Sequence, residues 1–348
     1  MKILKLFILT LLSLFIFVGC SQKQSDQVIK NPLSRTEFLM GTVVNVKIFN
    51  KGKEAVLDQV FDRMSTLDTL ITTNDDASQS EVNLINENAG IHPVKVSEDL
   101  FQLIVAGKTY SQLANGSFDI TIGPLSKLWH IGYPDERKPS QAEIDAILPL
   151  INYEDLILDK ENQTVYLKNE GMSLDLGAIA KGFITDEVVK ILKANGVTSA
   201  VVDLGGNIYV LGQNPSHELW TVGIQNPFLS RGETVGTIQL SNKSVVTSGI
   251  YERYLEIDGV RYHHLLNPLD GYPFNNEIAG VSVITDQSID GDSLSTLLFS
   301  KGVEEGLELV EKIENVDAIF ITRNKEIYLS SNLKGKFKLT NNEFQIVE

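Results

Sequence analysis

Asp292 and Thr296 in "DGDSLSTLL" and the adjacent pair His263 and His264 in "VRYHHLLNP" are the side chains of this sequence best suited to chemistry. On a helix, residues i and i+4 share a face, so a carboxylate at 292 and a hydroxyl at 296 converge as two hard oxygens. That donor set suits Mg²⁺, which keeps several positions for water or ligand phosphate. The same letters fit a plainer arrangement, with Asp292 favouring the first turn of a helix and Thr296 on its surface. A calcium loop is excluded: Asp286, Ser288, Asp290 and Gly291 imitate its opening, but its twelfth position is Leu297, where a bidentate Glu is required. Zinc is excluded as well, because adjacent strand residues point to opposite faces and the usual His spacings are absent. At most one histidine of the pair faces a site, where it would serve as a general base; a partly exposed structural histidine is the alternative.

Two further stretches carry weaker signals. In "MSLDLGAIAKGFITD" a strand is expected to run through Asp175 and Gly177 into a helix over Ala178 to Ala194. A helix start offers free N–H groups and a positive dipole end, and Lys181 adds charge, so this turn could hold phosphate. It is neither a P-loop nor a G-x-G-x-x-G turn, and a capped amphipathic helix explains it equally. In "NGSFDITIGPLSKLWH" an aromatic, Phe118, and a carboxylate, Asp119, stand near the mouth of an expected strand, with Gly123-Pro124 bending the chain. Such a pair could stack on a planar heterocycle and accept from its N–H groups; a core Phe and a turn-stabilising Asp read the same way.

These groups need a scaffold, and the chain of 348 residues is long enough to bury a sizeable core. With 45 acidic against 30 basic residues, a net charge of -15 argues against nucleic acid as a partner. An anionic ligand would therefore need a local cation. The start "MKILKLFILTLLSLFIFVGCSQKQ" pairs Lys2 and Lys5 with an apolar run too short to span a membrane comfortably, the pattern of a signal peptide over residues 1–19. Cys20, the only cysteine, follows directly and resembles a bacterial lipobox position. Lipidation there would tether the protein to the extracytoplasmic face of a cell membrane through a flexible segment, residues 20–34. A signal-anchor helix with an incidental cysteine is the alternative. Internal disulfides and thiolate metal sites are excluded.

From residue 35 to 348 a single domain is expected. "GTVVNVKIF" alternates as a strand, and Glu54 to Ile71 carries Val56, Leu57, Val60, Phe61, Met64, Leu67 and Leu70 at helical spacing. Ser97 caps a second helix that stops near Asn115-Gly116, and the capping box Ser140 to Glu143 opens a third that ends before Pro149. Strands then dominate: "DLILD", "TVYLK", "SAVVDLGG", "NIYVLG", "WTVGIQ", "GTIQLS", a hairpin turning at Asp258-Gly259, "AGVSVIT", "DAIFIT" and "KEIYLS", with helical pieces over Ile289 to Phe299 and Val303 to Ile313. Strands and helices mix without regular alternation, which predicts an α+β fold with mixed sheets packed against helices.

The order of these motifs, Met40-Gly41-Thr42, "GSFDITIGPL", "LDLGAIAKGFITD", "VDLGGNI", "TSGIYERY", "HHLLNPLDGYP" and "DGDSLST", resembles the ApbE family of FAD:protein FMN transferases over residues 35 to about 340. The resemblance implies an ApbE-like, T-fold-related architecture. It implies FAD as substrate, Mg²⁺ as cofactor, and an acceptor protein whose Thr or Ser hydroxyl receives FMN as AMP is released. By matching motifs, Mg²⁺ would be held by the Ala178 carbonyl, Asp292 and Thr296. FAD would touch Met40, Ser117, Phe118, Asp119, Asp175, Lys181 and Leu266, and His264 would stand at the reaction centre. Asn74 aligns where some members carry an aromatic; a small polar residue there would leave room for water and some FAD hydrolysis to FMN and AMP. An FAD pyrophosphatase and a non-catalytic FAD-binding lipoprotein are the competing readings.

Overall fold

A computed structural model describes residues 27–73 and 80–347, so the readings placed on the signal-like run, Cys20 and Asn74 lie outside the described residues. One sheet of nine strands organises the chain. Its order is β1 (Val28–Leu39), β2 (Thr42–Asn50), β6 (Ser199–Leu204), β7 (Asn207–Gly212), β10 (Lys243–Gly249), β13 (Ile278–Thr285), β14 (Asp317–Thr322), β15 (Glu326–Leu329) and β17 (Gln345–Ile346). Each neighbouring pair is antiparallel except β15 with β17. Mixed sheets with helices are the expected α+β class.

Strand alternation divides the buried residues between the two faces of this sheet. Val281, Val283, Ala318 and Phe320 join the core built by helices α1 (Glu54–Ile71), α3 (Glu98–Leu113), α6 (Ala180–Ala194) and α7 (Ser288–Val310). Ile284, Ile319 and Ile321 face a second core, closed by a three-stranded sheet of β8 (Trp220–Gln225), β9 (Thr234–Leu240) and β16 (Lys338–Leu339). A third cluster surrounds the fully buried Trp129 and takes in Leu266 and helices α4 (Gly123–Trp129) and α5 (Gln141–Ile147). Short helix α2 (Glu81–Glu87) and the small sheet β3 (Val94–Lys95), β5 (Thr164–Leu167), β4 (Leu156–Asp159) complete the helical side.

Local sequence rules account for most boundaries. Helix α1 buries the expected stripe, with Ile71 taking the place of Leu70. Ser97 accepts the Leu100 amide, and both halves of the Ser140–Glu143 capping box form. The hairpin of β11 (Tyr254–Ile257) and β12 (Val260–His263) turns at Asp258 and Gly259, both at positive φ, as a tight two-residue turn of the primed type requires.

Five expectations change, the first being the strand expected beside Phe118 and Asp119: residues 119–122 turn instead, with only an isolated bridge from Ile122 to Ser173. Strand β1 starts at Val28, inside the segment read as a flexible tether; among the described residues it is an edge strand paired with β2 alone, and its charged, half-exposed residues hide the alternation. Residues 172–177 are not a strand, because their amides go elsewhere: Leu174 to Asn86 Oδ1 at 2.7 Å, Asp175 to the Ile120 carbonyl at 2.9 Å, and Gly177 to Asp175 Oδ1 at 2.8 Å. The helix after them begins at Ala180 rather than Ala178. Gly123-Pro124 opens α4 instead of merely bending the chain, since proline is tolerated in a first helical turn. The two helical pieces after residue 288 do form, joined as α7 with a break at Gly302 (φ 78°), where Glu277 accepts the Val303 amide at 2.7 Å.

Candidate active site at the contact of two helices

Helices α6 and α7 meet where glycine removes the side chain between them. A Cβ on Gly182 would lie 2.5 Å from the Ser288 carbonyl oxygen and 2.6 Å from Ile289 Cα, so backbone packs on backbone. The Gly182 amide consequently donates across the contact to Asp292 Oδ2 at 2.8 Å. Gly182→Ala should therefore force the helices apart, costing about 1–3 kcal/mol of overpacking. Denaturant unfolding reads this as a lower midpoint with unchanged slope; an unchanged midpoint would refute the packing argument.

Asp292 is buried, and it does not cap its own helix, which disposes of the plainer reading of that residue. Its Oδ1 has the Lys181 ammonium at 4.0 Å, too far for a hydrogen bond. The charge of this carboxylate is thus only partly compensated. One turn along, half-buried Thr296 shares its hydroxyl with Ser248 at 3.3 Å on β10. The Gly182 amide would ordinarily bond the Ala178 carbonyl four residues back; with that amide turned to Asp292, no backbone amide among the described residues donates to Ala178.

These observations test the fit of a metal. The Asp292 carboxylate, the Thr296 hydroxyl and the released Ala178 carbonyl are hard oxygen donors of the kind that suits Mg²⁺. Among the described residues no group of three or more His, Cys, Asp or Glu comes together to hold a metal. An ion here would rest on one protein carboxylate, leaving positions for ligand phosphate, as Mg²⁺ allows.

The two histidines have different surroundings, His263 as the last residue of β12 and His264 beyond it. His263 is buried, its Nε2 bonds the Phe274 carbonyl at 3.0 Å, and its ring meets Phe299 edge-on. Burial pushes its pKa down to about 4. His264 lies just past the end of β12 and is half-buried. Its Nδ1 lies 3.2 Å from the Arg253 carbonyl, which also accepts the His264 amide at 3.1 Å. A carbonyl cannot donate, so Nδ1 carries the hydrogen and Nε2 keeps its lone pair. Burial first, then the positive charge of Arg253, push the His264 pKa down to about 3, and Lys181 adds to the effect.

The other residues named from the sequence fall into two groups. Ser117, Phe118, Asp119 and Asp175 are brought together, because the Asp175 amide bonds Ile120 and Ser173 bridges Ile122. Ser117 reaches α7 through Ser300 at 2.9 Å. Phe118 is a core residue, edge-on to Tyr110. Both oxygens of Asp119 are engaged, by the Thr121 amide and hydroxyl at 2.8 Å each and the Tyr153 amide at 2.9 Å. Its burial raises its pKa, and its immediate role is to hold the turn. Leu266 is buried in the Trp129 cluster and bridges Pro273. Met40 lies in the β1–β2 turn, at positive φ (52°), its amide 3.3 Å from Asp68 Oδ2.

Sequence reasoning missed Asp186, Ser248 and Arg253. Asp186 lies on α6, and its oxygens accept the Ser288 amide at 2.7 Å and the Ile289 amide at 2.9 Å. Burial drives its pKa up to about 6 against the opposing effect of those bonds. The one signal in the sequence was its position four residues after Gly182, on the same helix face.

The α+β scaffold thus carries oxygen donors at the α6–α7 contact and, at His264, a neutral imidazole with a free nitrogen. The chain belongs to the ApbE family, whose profile matches residues 40–320. An FAD:protein FMN transferase of Klebsiella pneumoniae is 41% identical over 315 residues, covering 90% of this chain and 97% of the relative. One from Treponema pallidum is 33% identical over 328 residues, covering 89% and 90%. Among solved structures, the ApbE protein of Thermotoga maritima superposes with a TM-score of 0.80 at 28% identity, covering 88% of this chain and 99% of the other. The apo flavinyl transferase ApbE of Pseudomonas stutzeri gives 0.78 at 29% identity, covering 92% and 100%.

Proposed function

We propose that this chain transfers the FMN half of FAD to a Thr or Ser hydroxyl of an extracytoplasmic acceptor protein, in a Mg²⁺-dependent reaction that releases AMP. Family membership makes the chain a flavin transferase. The observation that carries the finer reading is the α6–α7 contact, where a buried, under-compensated Asp292 stands beside Thr296 and the released Ala178 carbonyl.

In this reading Asp292, Thr296 and the Ala178 carbonyl hold Mg²⁺, which when bound supplies Lewis-acid stabilisation of phosphoryl charge. Lys181 adds positive charge beside the same site, so a protein of net charge -15 can take an anionic dinucleotide. His264 Nε2 takes the proton of the acceptor hydroxyl as its oxygen bonds the FMN phosphorus. The bond from that phosphorus to the oxygen bridging to AMP breaks, and AMP departs with the electron pair. Positioning and electrostatics supply most of the catalysis.

The test mixes the full chain with FAD, Mg²⁺ and a Thr-containing acceptor domain and looks for flavin fluorescence that survives denaturation. AMP formed without labelled acceptor would favour the pyrophosphatase, to which Asn74 would contribute by admitting water. FAD bound and recovered intact would leave only a binding protein.

We further place the chain at the membrane through a lipid on Cys20. Among the described residues no helix is long and apolar enough to cross a membrane. Cys20→Ala should move the protein from the membrane fraction to the supernatant, and its retention there would rule out the lipid anchor.

A further inference from the structure

The contact between α6 and α7 is reciprocal. Gly182 and Asp186 are one turn apart on α6, and Ser288 and Asp292 are one turn apart on α7. The Gly182 amide donates to the Asp292 carboxylate, while the Ser288 and Ile289 amides donate to the Asp186 carboxylate. Residue 182 thus pairs with 292 and residue 186 with 288, so the helices run in opposite senses here. Each lends the other a carboxylate for amides it cannot satisfy alone.

The lending is needed on α7, because its own N-cap residue, Gln287, makes no side-chain cap bond. A helix start has orphan amides, and burying them without acceptors is costly. Asp186, half-buried and 102 residues away in sequence, supplies a two-pronged cap. Two bonds to successive amides fix both the height and the rotation of the first turn of α7. Asp292 and Thr296 lie on the next two turns.

We infer that Asp186 is a positioning residue for the metal site: by capping α7 from α6 it sets the rotation at which Asp292 and Thr296 present their oxygens. This rests on the functional reading above, in which those two residues hold Mg²⁺. Asp186 touches no reacting atom and acts only through α7.

Asp186→Asn is nearly isosteric, but its Nδ2 cannot accept an amide. In this variant, hydrogen exchange of a peptide spanning residues 286–292 should quicken at least about tenfold, as expected for lost helix-end bonds. With FAD and no acceptor, Mn²⁺ half-saturation followed by electron paramagnetic resonance should rise about tenfold, and saturating Mg²⁺ should restore transfer to within about twofold of wild type. Adding Gln287→Asp, which gives α7 a local cap, should bring both the exchange and the Mn²⁺ half-saturation back.

An unchanged Mn²⁺ half-saturation in a folded Asp186→Asn protein overturns the inference, even if activity or melting temperature falls. Should Asp186→Asn fail to fold, the double variant decides. Recovery of folded protein with wild-type Mn²⁺ half-saturation supports the role, and failure to fold, or a half-saturation still raised, overturns it. A wild-type protein that binds Mn²⁺ and FAD yet labels no acceptor defeats the transferase reading alone, because exchange and Mn²⁺ binding still report on Asp186.

Discussion

His264→Ala is expected to slow FMN transfer about 10²- to 10⁴-fold, the usual contribution of a positioned general base, while FAD affinity changes by no more than about twofold. The Arg253 carbonyl holds the Nδ1 hydrogen and leaves the Nε2 lone pair free. His263→Ala should behave differently. It opens a cavity against Phe299 and orphans the Phe274 carbonyl, so it should cost stability, about 2–4 kcal/mol, with a far smaller loss of rate in the folded protein. Single-turnover transfer in the presence of saturating FAD separates the two variants. Equal losses of rate would return both histidines to a structural role.

The same burial fixes a pH dependence. The folded-state values of about 4 for His263 and about 3 for His264 lie below the ordinary 6.5. Between those limits the unfolded chain binds protons that the folded chain refuses. Stability from the two rings is therefore complete above pH 6.5 and drains away as pH falls toward 4 and then 3. Both rings are neutral at pH 7, so raising pH through 6.5 should not switch on transfer as a solvated histidine base would. Rate and melting temperature measured over the same pH series distinguish these outcomes.

How far the sequence disclosed this molecule depended on whether a feature is local. Stretches whose partners lie nearby were legible: the buried stripe of α1, the Ser97 and Ser140 caps and the Asp258-Gly259 hairpin turn all rest on spacings within a few residues. The unlike surroundings of His263 and His264 were anticipated from strand alternation, although His264 lies just past the end of β12. Features set by distant partners were not legible. Leu176 lies in an apolar-alternating stretch, yet residues 172–177 form no strand because Asn86 and Ile120 claim their amides. The cap on α7 comes from Asp186, and no local pattern around Gln287 points to it. Strand β1 lacked a clean alternation because an edge strand with one solvated face can carry charge on it. The candidate metal residues were visible as an i, i+4 pair, but the reason they differ from an ordinary helix start, the Gly182 amide arriving from α6, required the fold.

Asp292→Asn should remove the Mg²⁺ dependence of FMN transfer and lower its rate about 10³-fold or more. A metal that stabilises phosphoryl charge is worth several kcal/mol, and each 1.4 kcal/mol of barrier is about tenfold in rate. Asparagine is chosen because it isolates charge from architecture. Its carbonyl oxygen can still accept the Gly182 amide that Asp292 Oδ2 accepts at 2.8 Å, so the α6–α7 contact survives while the anionic oxygen near Lys181 is lost. Asp292→Ala does both kinds of damage: it deletes the charge and leaves a buried amide unpaired, which adds about 1–3 kcal/mol of instability. Comparing the two separates the roles. The Asn variant should unfold near the wild-type midpoint with no response of rate to added Mg²⁺, and the Ala variant should unfold earlier with the same kinetic defect. Retained Mg²⁺ activation in the Asn variant would show that the carboxylate serves the helix contact alone, since nothing but its charge would have been taken away.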